Sequence, residues 1–292
     1  MDIVAISVIS LGVIGAVSAV ILYFIAQRFK VEEDPRIDEV ESLLPGANCG
    51  GCGKAGCRNF AESCVKATSL DGLFCPVGGG EVMKKVAGVL GMEAADATPR
   101  VAVVRCNGTC ENRPRVNIYE GAASCAIVNS LYGGETACAY GCLGCGDCVA
   151  ACQFGALTLD AATGLPVVDI EKCTACGACV KACPRHIIEL RKKGPKGRGV
   201  YVSCVNKEKG AVARKACTAA CIGCGKCAKE CAFEAITVAD NVAYIDSDKC
   251  KMCRKCVDVC PTHAIHAVNF PPKKPAETAP KTAPADASTA NN

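Results

Sequence analysis

The stretch GCLGCGDCVAACQFGALTL, residues 141–159, recurs 79 residues later as ACIGCGKCAKECAFEAITV, residues 220–238. Glycine and cysteine hold the same places in both copies, and each copy ends in a short apolar run. A second cysteine-rich stretch, Cys173–Cys183, recurs as Cys250–Cys260 at an offset of 77 residues. Self-similarity at a nearly fixed period predicts that one structural unit has been duplicated.

Cysteine spacing within the repeats points to metal chemistry. Four runs share the spacing C-x2-C-x2-C-x3-C, namely Cys142–Cys152, Cys173–Cys183, Cys221–Cys231 and Cys250–Cys260. The first three cysteines of such a run wrap one iron-sulfur cluster, and the fourth, at the start of a helix, reaches the neighbouring cluster. The runs therefore predict two pairs of [4Fe-4S] clusters whose ligands interleave.

Interleaving assigns sixteen cysteines to four clusters. The predicted ligand sets are Cys142, Cys145, Cys148 and Cys183; Cys173, Cys176, Cys179 and Cys152; Cys221, Cys224, Cys227 and Cys260; and Cys250, Cys253, Cys256 and Cys231. This pattern resembles the bacterial two-cluster ferredoxins. The usual proline follows the last cysteine at Pro184 and Pro261, but Gln153 and Ala232 replace it after the other two runs. Since that proline shapes a turn and does not ligate iron, cluster binding is expected to survive.

Zinc is the alternative metal, because zinc sites with four cysteine ligands also use C-x2-C pairs. Triple C-x2-C-x2-C runs favour iron-sulfur clusters. The N-terminal module reads NCGGCGKAGC from Asn48 and predicts one further [4Fe-4S] cluster, for at least five in total, with the ligands Cys49, Cys52, Cys57 and Cys75. Cys64 lies in a helix-like stretch and is interpreted as a buried packing residue.

Seven of the 27 cysteines remain after these twenty assignments. A candidate sixth cluster would take four of them, Cys106, Cys110, Cys125 and Cys138. The alternative is packing, because the last two recur as Cys204 and Cys217, where nothing at the same offset corresponds to the first two. The sequence leaves both interpretations open.

An apolar segment opens the chain, where Ile3 to Ala26 is an unbroken run of 24 uncharged residues. A helix of that length, about 36 Å, crosses a hydrocarbon core about 30 Å thick. A cleaved signal peptide is the alternative, but Asp2 precedes the run where such peptides carry positive charge. Arg28 and Lys30 follow the run, so the positive-inside rule predicts a single-pass anchor in the cell inner (cytoplasmic) membrane, in contact with lipid, with the soluble part in the cytoplasm. That compartment keeps thiols reduced and favours metal sites over disulfides.

These signals predict an α+β protein with one transmembrane helix, a small single-cluster module and two tandem ferredoxin-like domains. The predicted boundaries are 1–27 for the anchor, 28–45 for a juxtamembrane linker, 46–98 for the single-cluster module, 99–138 for a cysteine-containing connecting segment, 139–190 for the first ferredoxin-like domain, 191–216 for a basic linker, 217–270 for the second ferredoxin-like domain and 271–292 for a disordered tail.

Charge and motifs exclude several functions. The formal net charge of +4 becomes about −6 when five clusters each add about −2, so nucleic acid is not an expected partner. No Gly-rich dinucleotide fingerprint or P-loop occurs, and the three histidines predict no catalytic residue. The basic stretch Arg191–Arg198 is interpreted as a solvated linker, with electrostatic docking of an acidic ferredoxin as the alternative.

The order of these features resembles the B subunit of Rnf-type ion-translocating ferredoxin:NAD oxidoreductase complexes. The resemblance rests on the apolar helix, the NCGGCGKAGC module, the RCNGTC segment at 105–110 and the ferredoxin-like runs. It implies an electron-relay subunit of a translocase, with soluble ferredoxin and other membrane and peripheral subunits as partners. A membrane system that keeps a redox-sensing regulator reduced, and a structural assembly subunit, are the alternatives.

Overall fold

The computed structural model describes residues 3–28, 34–94, 98–131 and 133–271. Two compact units make up the chain: Met1–Pro99 with Thr174–Ala178, and Arg100–Cys173 with Cys179–Asn292. The fold mixes helices with short antiparallel strands, as an α+β class requires. Lys30 and, apart from Pro271, the predicted tail lie outside the described residues.

Among its described residues, the regular elements of the first unit are helices. They are α1 (Ile3–Arg28), α2 (Pro35–Leu43), α3 (Cys57–Lys66) and α4 (Gly79–Leu90). Helix α1 is long and apolar enough to cross a membrane, and its side chains from Val8 onward are exposed. No other described helix meets that criterion. An apolar surface of this length, with no other described part of the chain packed on it, suits a lipid environment.

The other three helices enclose a small core. Val40, Phe60 and Val86, from α2, α3 and α4 respectively, are almost wholly buried. Cys64 is 0 % exposed in the same core, and burial raises the pKa of its thiol to about 11. It lies among the apolar side chains of this core, and its interpretation as a packing residue stays a prediction. The core therefore holds α3 and the loops before and after it in place, and these carry the cysteines of the N-terminal module.

The second unit contains two copies of one arrangement. The first copy comprises β1 (Arg100–Val104), α5 (Cys125–Leu131), α6 (Asp147–Ala150), β2 (Leu157–Asp160), β3 (Leu165–Val168), α7 (Ala178–Ala182) and β4 (Ile188–Lys192). The second copy comprises β5 (Gly199–Val202), α8 (Gly210–Ala216), α9 (Lys226–Lys229), β6 (Ile236–Ala239), β7 (Val242–Ile245), α10 (Lys255–Asp258) and β8 (Ile265–Val268). In each copy the first and last strands pair antiparallel, and the two middle strands form a hairpin.

Each domain begins further towards the N-terminus than the cysteine runs suggested. The segment 99–138 contributes β1, which pairs with β4, and the segment 191–216 contributes β5 and α8. Val202 and Ala213 from this second segment are 0 % exposed in the core of the second domain. Residues 191–216 are therefore largely part of the folded domain and not a free linker, because the last strand of each copy needs a partner for its backbone hydrogen bonds.

Two arginines of the first copy, Arg105 and Arg191, contact the second copy. Arg105 donates from Nε to the carbonyl oxygen of Val202 and from Nη2 to that of Cys204, both at 3.3 Å. Its guanidinium and that of Arg191 lie over the ring of Tyr244, 4.9 and 5.2 Å from the ring centroid. Arg191, expected in a solvated loop, is only 5 % exposed, because it lies in β4 and donates to the backbone of the second copy at Ile245.

Candidate metal centres

The N-terminal module gathers its four predicted ligands around one cavity, lined by Cys49, Cys52, Cys57 and Cys75. The loop is fixed by Asn48, whose side-chain oxygen accepts a hydrogen bond from the backbone N–H of Cys57 at 2.7 Å, at the start of α3. A Cβ on Gly56 would lie 2.8 Å from that oxygen, so the contact requires glycine there. The backbone N–H of Gly78 donates to the Cys75 thiol at 3.4 Å. Such N–H···S contacts stabilise a thiolate.

In the second ferredoxin-like domain, the fourth cysteine of the first run lies with the second run. Cys231 lines a single cavity together with Cys250, Cys253 and Cys256. Burial, and then the neighbouring thiolates of that group, raise the pKa of Cys256 to about 12. Four thiols that hinder one another's ionisation need a cationic occupant such as iron before all can become thiolates.

The reciprocal set also comes together. Burial raises the pKa of Cys227 to about 11, and the thiolates of Cys221, Cys224 and Cys260 add to the increase. Cys260 belongs to the second run and the other three to the first. The backbone N–H of Ala243 donates to Cys221 at 3.4 Å. The second domain thus brings together the cysteines of both predicted ligand sets.

The first domain repeats this arrangement for one cluster. Cys142, Cys148 and Cys183 line one cavity, and Cys145 contacts Cys125 at its edge. Of the other predicted set, three cysteines, Cys152, Cys173 and Cys179, belong to one core cluster. Cys176 lies in the loop grouped with the first compact unit and stays a predicted ligand.

The candidate sixth ligand set is divided by the fold. Cys110 is exposed and its thiol donates to the carbonyl oxygen of Thr163 at 3.5 Å, while Cys125 lies against the Cys142 cavity. Cys106 and Cys138 line a different cavity with two cysteines of the second domain. The sequence contains one signal that Cys106 and Cys204 are equivalent. Each comes just after an apolar strand, in RVAVVRC at 100–106 and in GVYVSC at 199–204.

Within the described residues, no three His, Cys, Asp or Glu side chains converge on one point as they do around a single metal ion. A cubane presents four separate irons to its ligands, so its thiolates surround a volume, whereas zinc draws four sulfurs to about 2.3 Å from one centre. Thiols placed around cavities are the arrangement that a cluster needs.

The fold and these cysteine groups define a multi-cluster iron-sulfur protein with two ferredoxin-like dicluster domains. The profile of the 4Fe-4S dicluster domain family matches residues 141–187 and again 220–264, and that of the putative Fe-S cluster family matches residues 44–69. Both ferredoxin-like repeats and the N-terminal module are therefore recognised as iron-sulfur domains.

Curated relatives cover most of the chain. It is 46% identical over 256 residues, 87% of this chain and 75% of the relative, to the B subunit of the Na(+)-translocating ferredoxin:NAD(+) oxidoreductase complex of Acetobacterium woodii. It is 42% identical to the B subunit of an ion-translocating oxidoreductase complex from Methanosarcina acetivorans, over 89% of this chain and 96% of the relative. It is also 42% identical to the B subunit of the proton-translocating ferredoxin:NAD(+) oxidoreductase complex of Clostridium ljungdahlii, over 92% and 94%. The chain belongs to the family of B subunits of Rnf-type ion-translocating oxidoreductase complexes, as the sequence resemblance predicted.

Proposed function

We propose that this chain relays single electrons between a soluble ferredoxin and the other subunits of a membrane-bound oxidoreductase complex. Each transfer oxidises one reduced ferredoxin and reduces one [4Fe-4S] cluster by one electron, and the cluster then passes that electron onward. The observation that supports the proposal is the cavity in the second domain that Cys231 shares with the three cysteines of the other run, as the predicted exchange of ligands requires. Exchange of this kind holds two clusters within one small fold, as an electron relay requires.

The proposed relay has five clusters on twenty thiolates, with the ligand sets that the cysteine spacing predicts. The thiols in these groups are mostly buried or half-buried, and burial raises the pKa of several above the ordinary value of 9.0. A metal-free site therefore holds neutral thiols near neutral pH, and binding a cluster releases protons. The chain's own contribution is to fix the thiolates and the backbone N–H donors around each cluster.

The second domain is the better candidate for contact with ferredoxin. Cys224 and Cys253, one from each of its runs, are exposed, whereas their counterparts in the first domain, Cys145 and Cys176, are half-buried. Lys226, Lys251 and Lys255 lie on the same two runs and are exposed. Positive charge beside an exposed cluster edge steers a negatively charged partner into a productive encounter.

In this relay the soluble part lies in the cytoplasm and the anchor α1 is in contact with lipid. Arg28 ends α1, and no Lys or Arg precedes that helix in this sequence. Protease added to intact cells is expected to leave the soluble part whole, and to digest it after the cells are opened. Digestion in intact cells would contradict the cytoplasmic placement.

Electron transfer itself is tested with the purified complex under anaerobic conditions. Reduced ferredoxin is mixed with the complex and the visible absorbance of the clusters is followed, with dithionite as the reference for full reduction. Bleaching by reduced ferredoxin, followed by reoxidation when NAD is added, is the expected result. Clusters that dithionite reduces and ferredoxin does not would overturn the proposal.

A further inference from the structure

Strand register shows which cysteines of the two domains correspond. Strands β1 and β5 are equivalent, because each pairs with the last strand of its own domain and their final residues, Val104 and Val202, lie opposite positions 77 residues apart. Cys106 follows β1 by two residues, and Cys204 follows β5 by two. The counterpart of Cys204 is therefore Cys106, and not the cysteine found at the constant offset of 79.

The second pair of equivalent cysteines is Cys138 and Cys217, each four residues before the first cysteine of its run. In both domains the backbone N–H three residues further on, at Gly141 and Ala220, donates to the carbonyl oxygen of this cysteine. Cys106 and Cys138 of the first domain are thus equivalent to Cys204 and Cys217 of the second. All four remain once the five predicted clusters have their ligands.

All four of these cysteines line one cavity between the two ferredoxin-like domains. Its volume is about 20 Å³, the same as for the cavity of the N-terminal module and similar to the value of about 10 Å³ for the one lined by Cys231. A cavity of the same size with the same number of thiols is therefore found where no cluster run exists.

Polar groups around this cavity are those that a bound cluster would use. The side-chain amide of Asn206, itself 1 % exposed, lies 3.6 Å from the Cys138 thiol. Ser203 lines the cavity, is 1 % exposed, and its hydroxyl has no hydrogen-bond partner in the described part of the chain. A buried hydroxyl without a partner is costly unless something fills the space beside it. The sulfide of a cluster accepts such a hydrogen bond.

A buried cation also borders the cavity. Arg113 is 7 % exposed and donates to the carbonyl oxygen of Cys142. A Cβ on Gly108 would lie 2.7 Å from Cδ of this arginine, so glycine leaves the space that it occupies. A buried guanidinium needs negative charge nearby, and four iron-bound thiolates provide it.

We propose that Cys106, Cys138, Cys204 and Cys217 bind a sixth iron-sulfur cluster, a [4Fe-4S] cubane held between the two ferredoxin-like domains with two ligands from each. The site lies outside the five clusters of the proposed relay. It also differs from the set Cys106, Cys110, Cys125 and Cys138 that sequence spacing suggests, because two members of that set lie elsewhere.

Packing is the competing explanation, since free cysteines often fill cores as small apolar residues. Cys64 shows what that role looks like in this protein: it is 0 % exposed on α3 among Phe60, Ala61 and other apolar side chains of its unit. The four cysteines between the domains instead share their cavity with Asn206, Ser203 and Arg113. A packing role does not need these polar neighbours.

Iron and sulfide analysis of the full chain, loaded anaerobically, tests the site. Six clusters give about 24 irons per chain and five give about 20, at about four irons each. We expect Cys204→Ala and Cys217→Ala each to lower the wild-type count by about four. Cys110→Ala, which belongs only to the sequence-based set, and Cys64→Ala, which empties an equally buried position, are the matched controls and are expected to keep all the iron.

The count separates the outcomes. A wild-type value near 20 that Cys204→Ala leaves unchanged overturns the sixth cluster and leaves the five-cluster relay intact. One zinc per chain with about 20 irons overturns the cubane. Loss of four irons in Cys110→Ala, with none in Cys204→Ala, overturns the ligand set. If Cys204→Ala loses more than four irons through misfolding, the wild-type count and Asn206→Ala still decide, because removing this amide should change only the spectrum of the sixth cluster.

Discussion

The two ferredoxin-like domains descend from one repeat, yet they differ in what covers their first cluster. Between the equivalent residues Cys106 and Cys138 the first domain has 31 residues, whereas between Cys204 and Cys217 the second has 12. In the first domain these residues include α5, which begins at Cys125 against the cavity of the first cluster. In the second domain the helix at the same place in the element order is α8, which begins at Gly210 and carries no cysteine.

A single carboxylate attaches α5 to the cluster loop. The backbone N–H groups of Cys125 and Ala126 donate to Asp147 at 2.9 and 3.1 Å, and the hydroxyl of Ser124 donates at 2.9 Å. Burial opposes ionisation of Asp147, but these hydrogen bonds outweigh it and lower its pKa. The equivalent residue of the second domain is the exposed Lys226. The same position of the repeat therefore anchors α5 in the first domain and is an exposed lysine in the second.

The two domains also differ in the charge along their cysteine runs. Along its two runs the second domain carries Lys226, Lys229, Lys251, Arg254 and Lys255 against Glu230 and Asp258, a net charge of +3. The first domain carries only Lys181 against Asp147, a net charge of zero. Both copies therefore keep the cysteine runs, but they differ at their surfaces. In the first copy α5 lies against a cluster cavity, whereas in the second copy the runs are basic and each includes an exposed cysteine.

The largest expected effect tests what the two domains share, the exchange of the fourth cysteine. Cys148 and Cys183 are predicted to hold one cluster, so the double variant Cys148→Ala/Cys183→Ala should lose about four irons, no more than either single variant. Cys179→Ala/Cys183→Ala should lose about eight, because it damages two clusters. The reverse result would place each run around its own cluster and break the ferredoxin-like assignment.

The same test applies to the second domain through Cys227, Cys256 and Cys260. Cys227→Ala/Cys260→Ala should lose about four irons and Cys256→Ala/Cys260→Ala about eight. In either domain, losing a cluster from the relay should reduce ferredoxin-dependent NAD reduction by orders of magnitude. Agreement between the domains would show that their differences lie outside the ligand sets.

A smaller effect is expected from freeing α5. Asp147→Ala removes the acceptor for three hydrogen bonds at the start of that helix, a loss worth about 1 kcal/mol for a helix cap. The cluster of Cys142 should then be more open to solvent and lose iron several-fold faster in air, as followed by the decay of visible absorbance. Lys226→Ala, at the equivalent position, is the matched control and should leave the rate unchanged. An unaltered rate in Asp147→Ala would mean that α5 does not shield the cluster.

Short-range spacing explains why so much of this site was predictable from sequence. Within a run such as Cys142–Cys152, the ligand spacing is fixed by the cluster, so the pattern survives in the sequence. Turn positions can also be predicted from the sequence. His186 and His263 occupy equivalent places in the repeat, and both follow tight turns, with φ of 50° and 51°. These features depend on residues close together in the chain.

The cavity between the domains depends on residues far apart in the chain. A 19-residue difference in length shifts Cys106 out of the constant offset, and strand pairing is needed to restore its equivalence with Cys204. The approach of Arg113 to Cys142 likewise joins residues that no local pattern connects. The sequence alone suggests that Arg191 belongs to a linker. Its burial comes from contact with the second domain, at Ile245, which is distant in the chain. Tertiary contacts of this kind leave little local signal.

The smallest expected effect asks whether the open, basic domain is where ferredoxin binds. Lys226→Gln/Lys251→Gln/Lys255→Gln removes three exposed charges from its cluster runs and should slow ferredoxin oxidation several-fold at low salt, with little change at high salt. The reason is that screening acts within about 10 Å at 0.1 M salt.

The basic segment 191–198 provides the matched control. There, Arg191 is buried and Lys193 donates to the carbonyl oxygen of Ile170 at 3.1 Å, which leaves Lys192 and Lys196 as its exposed lysines. Lys192→Gln/Lys196→Gln should therefore change the low-salt rate less than the triple variant. Stopped-flow rates at several salt concentrations measure both. A larger effect in the double variant would move the docking surface to the segment between the domains, and equal rates in all three proteins would remove electrostatic steering from either surface.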